Sequence, residues 1–445
     1  MFGKALHTLA TQALGTLAAL AVGVVLARVL GPSGRGVVSY AWLVLGLAAV
    51  YADGPAAAVV AQYAGDKVRR ADVYRAMLRA LPVLLVPATA GFALAALLLP
   101  GQLPLLAVAC ALPFAVYAQC VKGFFLAESR IQGANLIDLA AGAGYALLGS
   151  AVVLLGGGVG GALAAWVAAY AASALYGALR LHRAPPLARA DAAGQPAALA
   201  RAQLVFGGKS GLVYAAGYVN LRMGAFVVAA LLGSAALGIY TIVIGVSELL
   251  WKISNALAWS AFGRIAGDDD AGARLLVGRL TRTIVLVELV LGVLVFAAGP
   301  WLIVHVYGAA FAGAGLPLRI MVLGVAAYAM EPVLGYFLLV RAKRPLLVLA
   351  IQLGSALLCA ALAALAIPAY GLAGAAAATA ASYAAVVVVK AFLVARTLRM
   401  PVLELFVPRS ADARAVAGAA LRFARRRSAA GASEAPACAP CCAPA

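Results

Sequence analysis

Lysines, arginines and carboxylates are stranded inside stretches of this sequence that are otherwise apolar, and each needs a physical reason to be there. The cations are Lys122, Lys209, Arg222, Lys252 and Arg319, with Arg28 and Arg35 at the ends of such stretches and Lys390 near enough to an end to snorkel. The carboxylates are Asp53, Asp138, Glu248, Glu288 and Glu331, with Glu128 expected at the inner surface. If the surrounding residues form helices in lipid, each charge costs roughly 2.5–3.5 kcal/mol at a helix centre unless it faces protein or water. Cations lining a wet path would compensate an anionic passenger, and guanidinium suits phosphate because its donors form a fork matched to phosphate oxygens. Carboxylates in the same path would hold a proton or a sodium ion, or pair with the cations. The two signs are close to balance, so pairs that only tie helices together are a third reading.

Spacing sorts these residues further. Glu248 and Lys252 stand i,i+4 on one helix face and can neutralise each other, and Asn255 and Trp259 extend the same stripe. Lys209 and Asn220 share nearly one face, Arg222 is rotated away from both, and Gly211 and Gly217 are points at which the helix can bend. Arg28 and Arg35 flank Leu30-Gly31-Pro32-Ser33-Gly34, a turn made of turn residues. They either anchor at the membrane interface or meet a phosphate at the outer mouth. Asp53 precedes Gly54-Pro55, where the missing proline N–H and the glycine bend a helix and free backbone carbonyls; Glu331-Pro332 repeats the arrangement. The candidate substrate-binding residues are therefore Arg28, Arg35, Lys122, Lys209, Asn220, Arg222 and Lys252. The candidate ion-coupling residues are Asp53, Asp138, Glu248, Glu288 and Glu331. His7, His182 and His305 have no ligand company, and the sequence holds no phosphate-cradling loop, nucleophile with its base, or metal-ligand cluster. We expect no catalysis, no metal and no cofactor.

The elements that position these residues follow from composition. With 65% hydrophobic and 11% charged residues and a mean hydropathy of +1.02, the chain could not be dissolved in water around a single core. Lipid cannot satisfy backbone N–H and C=O groups, so the spans must be helices. The apolar runs fall at roughly 8–30, 36–60, 80–99, 103–127, 134–156, 159–180, 205–231, 235–262, 283–307, 315–340, 346–367 and 372–395, each of order 20 residues. The fold class is an all-α polytopic membrane protein of about twelve transmembrane helices. The first run follows Lys4 like a signal sequence, but it is too long and ends in Arg28, which makes it an uncleaved span.

Charge sets the orientation. Lys67, Arg69, Arg70, Arg75, Arg79, Arg130, Arg180, Arg183, Arg189, Arg201, Arg264, Arg274, Arg279, Arg282, Arg341, Lys343 and Arg344 all fall in alternate connectors, so those connectors and both termini are expected in the cytoplasm. The net charge of +19 is then mainly a topology signal, with attraction to anionic inner-leaflet lipid as a consequence, and nothing resembles a nucleic-acid domain. The 181–204 connector divides the chain into a six-helix bundle over 1–180 and a second over 205–399, followed by a basic tail over 400–445 that we expect to be partly disordered. Shifting the sequence by 202 positions lays Leu30, Gly31 and Gly36 on Leu232, Gly233 and Gly238, Ala64-Gly65-Asp66 on Ala266-Gly267-Asp268, and Asp53 on Asn255. That implies a parallel, pseudo-symmetric repeat about an axis along the membrane normal, with the path between halves. Cys110, Cys120 and Cys359 read as small hydrophobes. Cys438, Cys441 and Cys442 sit in the Pro/Ala tail without a histidine.

Four stretches carry a resemblance: LARVLGPSGRGVVSY (26–40), FGGKSGLVYAAGYVNLR (206–222), LGIYTIVIGVSELLWKISNAL (237–257) and IPAYGLAGAAAATAASY (367–383). With the span pattern, they make the chain similar to oligosaccharide flippases of the polysaccharide-biosynthesis branch of the multidrug/oligosaccharidyl-lipid/polysaccharide (MOP) exporter superfamily. One departure is visible: many relatives place an aspartate where this chain has Gly224. The resemblance implies a monomer of the bacterial cytoplasmic membrane that turns a polyprenyl-pyrophosphate-linked oligosaccharide from the inner to the outer leaflet, alongside membrane lipids and a polysaccharide polymerase or other assembly proteins. It implies that the cations above would compensate the pyrophosphate, while Asn220, Asp138, Trp251 and Tyr218 would meet sugars. The alternatives are a cation-coupled multidrug exporter of the same superfamily and a membrane polysaccharide polymerase or ligase. The latter is disfavoured by short outer connectors such as LPGQLP (99–104) and GGGVGG (156–161).

Overall fold

The computed structural model describes residues 2–51, 53–99, 102–185, 192–267 and 270–407, and its long regular elements are all α-helices. In chain order they are α1 (Phe2–Tyr51), α2 (Asp53–Val60), α3 (Arg70–Leu98), α4 (Leu103–Ala127), α5 (Ile131–Leu154), α6 (Gly158–Arg183), α7 (Pro196–Gly267), α8 (Asp270–Tyr307), α9 (Gly315–Tyr328), α10 (Glu331–Tyr336), α11 (Pro345–Thr397) and the short α12 (Leu403–Phe406). Among the described residues, nine stretches are long and apolar enough to cross a membrane. Their outward faces are bare hydrocarbon, with Leu97 81% and Leu365 78% exposed, which is how a chain dissolved in lipid presents itself. The tail beyond Val407, with Cys438, Cys441 and Cys442, lies outside the described residues, as does the side chain of Trp259.

Three of the nine are pairs of helices run together. α1 breaks at Gly31 (φ 66°, ψ −175°), α7 at Gly233 (φ 76°, ψ −168°) and α11 at Gly371 (φ 55°, ψ −132°). Such dihedrals are open to glycine because it has no Cβ. The chain doubles back at the first break, since Arg35 beyond it donates to the Gly23 carbonyl before it at 2.6 Å.

Gly31 and Gly233 are equivalents under the 202-residue shift, and their neighbourhoods interlock reciprocally. A Cβ at Gly36 would lie 1.7 Å from the Ser234 carbonyl oxygen, and one at Gly238 would lie 2.1 Å from that of Pro32. The Ser39 and Thr241 hydroxyls hydrogen-bond at 3.0 Å. Residues 32, 36 and 39 map onto 234, 238 and 241 by the same shift, so the contact is self-complementary, as a local two-fold relation requires. Small residues permit this backbone approach, which is where packing between helices in lipid is won.

Proline and polar residues move two element boundaries from where hydropathy predicts them. The span expected over 315–340 is one apolar stretch, Ala309–Leu339, but it is interrupted inside, as α9, α10 and a wide turn at Phe337–Arg341. Pro332 supplies no N–H to the preceding turn, and α9 ends at Tyr328. A similar wide turn, Ala61–Gly65, follows Asp53-Gly54-Pro55. α3 begins at Arg70 rather than near 80, because helical hydrogen bonding does not stop where hydrocarbon does. Asp72 in its first turn accepts from Arg69 at 2.9 Å and from the Gly194 amide at 3.4 Å.

The chain falls into two compact units, with boundaries inside α7, α8, α9 and α11. Among the described residues, one comprises those within 1–248, 294–324 and 346–386; the other comprises those within 249–293, 325–345 and 387–407. In the first, α5 packs along α6 and α1, and α4 along α6, α3 and α1. Its core includes Tyr63, Met77, Leu112, Val121, Phe124 and Trp166. In the second, Trp251 meets Tyr328 edge-on, and Arg282 donates to the Glu404 carbonyl at 3.0 Å.

The reciprocal contact predicts that Gly36→Val, which must push the facing backbones apart, destabilises the purified protein by about 1–3 kcal/mol. Thermal unfolding in detergent reads this directly. Gly142→Ala, where a Cβ meets nothing within 4 Å, should leave the midpoint unchanged or raise it; equal midpoints for wild type and Gly36→Val would contradict the interlock.

Candidate functional site

Within the first unit, polar side chains from five helices form a track. Lys122 on α4 donates to Asp138 on α5 at 2.6 Å. Asp53 is the first residue of α2, which packs against α4 so closely that a Cβ on Gly123 would lie 2.8 Å from the Ala56 carbonyl oxygen. Tyr170 comes from α6, which packs along α5. The Tyr218 hydroxyl donates to the Leu43 carbonyl at 3.0 Å, and its ring lies 5.9 Å from the Arg222 guanidinium. Arg222 grips Glu248 with both terminal nitrogens, at 2.5 and 3.1 Å. Side-chain exposure is 24% for Lys122, 49% for Asp138, 25% for Arg222 and 21% for Glu248, so neither pair is fully buried.

Close backbone packing sets this track. A Cβ on Gly54 would lie 2.0 Å from the Gly207 carbonyl oxygen, and one on Gly211 would lie 2.5 Å from that of Tyr51. α2 therefore lies against the first half of α7, and Asp53 arrives there with it. Gly211 and Gly217, expected to bend α7, keep helical dihedrals; the break is at Gly233.

The remaining candidates are dispersed. Lys209 is exposed and Asn220 is 1% exposed, so a shared helix face does not give them a shared environment. Arg28 is exposed and donates to the His305 and Val306 carbonyls at 2.5 and 2.8 Å, closing the C-terminal end of α8. Arg35 is buried, bound to the Gly23 carbonyl and 5.8 Å from the Tyr307 ring. Arg319 sits over Phe296 and donates to its carbonyl at 3.3 Å. Glu128, expected at the inner surface, is only 3% exposed and is held by Tyr63 at 2.9 Å, Arg130 at 3.3 Å and Arg70 at 3.6 Å.

In the second unit, Lys252 is exposed, and Glu288 is buried with one oxygen accepting from Ser254 at 2.5 Å. Lys390 does not snorkel: it is fully buried and donates to Glu331. An ammonium that finds a carboxylate inside the protein gains no advantage from reaching the interface.

Sequence spacing missed the pairings. It offered Lys252 to Glu248, whereas the structure gives Glu248 to Arg222, twenty-six residues earlier. The overlooked signal is the hairpin. Lys122 and Asp138 lie at similar distances either side of Ser129, and Arg222 and Glu248 either side of Gly233, so each turn folds its charges face to face. Gly224 also has its reason. A Cβ there would lie 2.3 Å from the Thr379 hydroxyl and 2.8 Å from that of Tyr240, which hydrogen-bond to each other at 2.9 Å. The space an aspartate would occupy is already filled.

A double-mutant cycle on Arg222→Ala and Glu248→Ala, read by thermal unfolding, should return a coupling of about 0.5–3 kcal/mol, with Lys209→Ala within about 0.5 kcal/mol of wild type. Additive costs at Arg222 and Glu248 would show that they do not act as a pair.

No family model and no curated protein sequence matches this chain, whereas solved structures match it over most of its length. It is similar to the lipid II flippase MurJ in an inward closed conformation, with a TM-score of 0.75 at 12% identity over 91% of this chain and 89% of that one. It is also similar to an inward-facing multidrug resistance transporter of the MATE family, with a TM-score of 0.63 at 16% identity over 88% and 95%. A MOP superfamily transporter from Pyrococcus furiosus, described as having a binding pocket of reverse polarity, gives a TM-score of 0.59 at 15% identity over 89% and 95%. The chain is a multi-pass membrane protein with the fold of the MOP superfamily transporters, a fold that lipid flippases and multidrug exporters share.

Proposed function

We propose that this protein is an alternating-access flippase that moves a polyprenyl-pyrophosphate-linked oligosaccharide from the inner to the outer leaflet of a bacterial cytoplasmic membrane, for surface polysaccharide assembly. The observation that carries the reading is that Lys122 and Arg222 are each held by a carboxylate yet left about a quarter exposed. An arriving pyrophosphate can take over such a cation without any bare charge facing lipid, because one anionic partner replaces another. Protonation of Asp138 or Glu248, or a cation bound there, releases the lysine or arginine for that exchange and couples it to an ion. Without such help, neither the charged pyrophosphate nor the hydrated glycan crosses a hydrocarbon layer about 30 Å thick.

In this reading, the three glycine breaks turn nine long apolar stretches into twelve spans. The positive-inside distribution then places both termini in the cytoplasm and the Gly31 and Gly233 turns outside. The interlock of Gly36 with Gly238 and the grip of Arg28 on α8 hold that outer end shut, and release of the passenger requires them to separate.

One observation favours a second reading. α2, which brings Asp53, packs on the α4 helix that carries Lys122, and Lys122 is already matched by Asp138, so this region is not short of carboxylates for an organic cation, as a multidrug exporter requires.

Proteoliposomes separate the two. We expect the purified protein to expose a polyprenyl-pyrophosphate oligosaccharide to an external lectin, with Lys122→Gln and Arg222→Gln each slowing exposure at least about tenfold while inserting at normal abundance. Accumulation of a cationic dye with no oligosaccharide movement would reverse the assignment.

A further inference from the structure

A cavity of about 460 Å³ opens in the first unit where α4 ends, α5 begins and α6 ends, away from the Lys122 to Glu248 track. Its charged lining is Arg130, Arg180, Arg183 and Glu128. The one carboxylate is committed: Glu128 binds Arg130 and, on its other side, Arg70. Arg180 and Arg183 stand one turn apart at the end of α6 and make no ion pair among the described residues; the Arg180 guanidinium lies 5.9 Å from the Tyr176 ring. Ser129 takes a left-handed conformation (φ 55°) to end α4, and the first turn of α5 starts at the rim, adding the positive end of a 24-residue helix to the arginines. The lining is not polar throughout, because Phe125 and Leu136 supply apolar wall.

We propose that this cavity seats the phosphate headgroup of an anionic membrane phospholipid, as a site separate from the transported molecule. Three guanidinium groups against one shared carboxylate call for an anion, and the fork of each matches phosphate oxygens. The apolar wall selects a phosphate that carries acyl chains over a free ion. The position agrees, because Arg130, Arg180 and Arg183 belong to connectors assigned to the cytoplasm, at the level where inner-leaflet headgroups lie. The volume is that of a small-molecule site. A bound headgroup would tie the α4–α5 turn to the end of α6, which Arg130 now joins by donating to the Pro185 carbonyl at 3.4 Å.

Thermal unfolding of the full chain in detergent, titrated with short-chain phosphatidylglycerol, phosphatidylcholine or inorganic phosphate, tests the site. Phosphatidylglycerol should raise the midpoint saturably, and the other two should not. The double variant Arg180→Gln/Arg183→Gln should weaken the phosphatidylglycerol response at least about tenfold in midpoint concentration. Gln132→Glu, which adds a carboxylate to the lining without removing an arginine, should weaken it too and serves if the double variant does not fold. Arg79→Gln, an exposed cation outside the cavity, should leave the response intact. Equal responses to both lipids, a response to inorganic phosphate matching that to phosphatidylglycerol, or equal weakening by Arg79→Gln would each overturn the assignment. None of these readouts depends on transport of an oligosaccharide.

Discussion

The first unit is organised by one contact, the meeting of backbone with backbone at Gly36 and Gly238. In lipid the hydrophobic effect gives helices no reason to prefer each other over acyl chains, so association rests on how closely they can approach. Here the carbonyls of Pro32 and Ser234 stand where a side chain would be on any residue but glycine. That contact fixes the half of α1 after Gly31 against the half of α7 after Gly233. Other close approaches then fall in line: Gly54 with Gly207, Gly211 with Tyr51, and Tyr218 with the backbone at Leu43. Asp53, Tyr218 and Arg222 reach the same track because these backbones meet.

Charge inside the membrane obeys a second constraint, and exposure separates its two uses. Lys390 and Glu331 form a pair whose ammonium is wholly buried, which suits a fixed tie between α11 and α10. Lys122 with Asp138 and Arg222 with Glu248 are paired as well, but each remains partly exposed. A buried ion pair is weak evidence for stability, since its desolvation cost offsets its attraction. Under the proposed function, the accessible pairs would serve as exchange points, where carboxylate, phosphate and proton succeed one another around a fixed cation.

Much of this was legible in the sequence because the bilayer imposes a coarse rule: apolar length marks a helix, and the turn residues at Leu30-Gly31-Pro32-Ser33-Gly34 mark a reversal. The match of Gly31 and Gly36 with Gly233 and Gly238 pointed to the residues of the reciprocal contact, since a backbone contact that excludes Cβ leaves glycine as its trace. Partner choice was not legible. Glu248 has Lys252 on its own face, but the reversal at Gly233 brings Arg222 opposite it, and a bidentate guanidinium prevails over a neighbouring ammonium. The role of Arg28 was hidden because the carbonyls it caps lie 277 and 278 residues away. Lys390 was misplaced for a related reason: its distance from a span end is local information, and its carboxylate lies fifty-nine residues earlier. The glycine at 224 is explained only by Tyr240, beyond the break in α7, and Thr379 of α11.

The central claim is that the interlock of the Gly31 and Gly233 turns opens in every transport cycle. Ser39→Cys with Thr241→Cys, in a chain cleared of its six native cysteines, places two thiols where hydroxyls now lie 3.0 Å apart. Oxidation should form the disulfide and stop oligosaccharide transport in proteoliposomes, reduction should restore it, and neither single cysteine should respond. Full transport by the cross-linked protein would show that the contact never opens and would contradict the account.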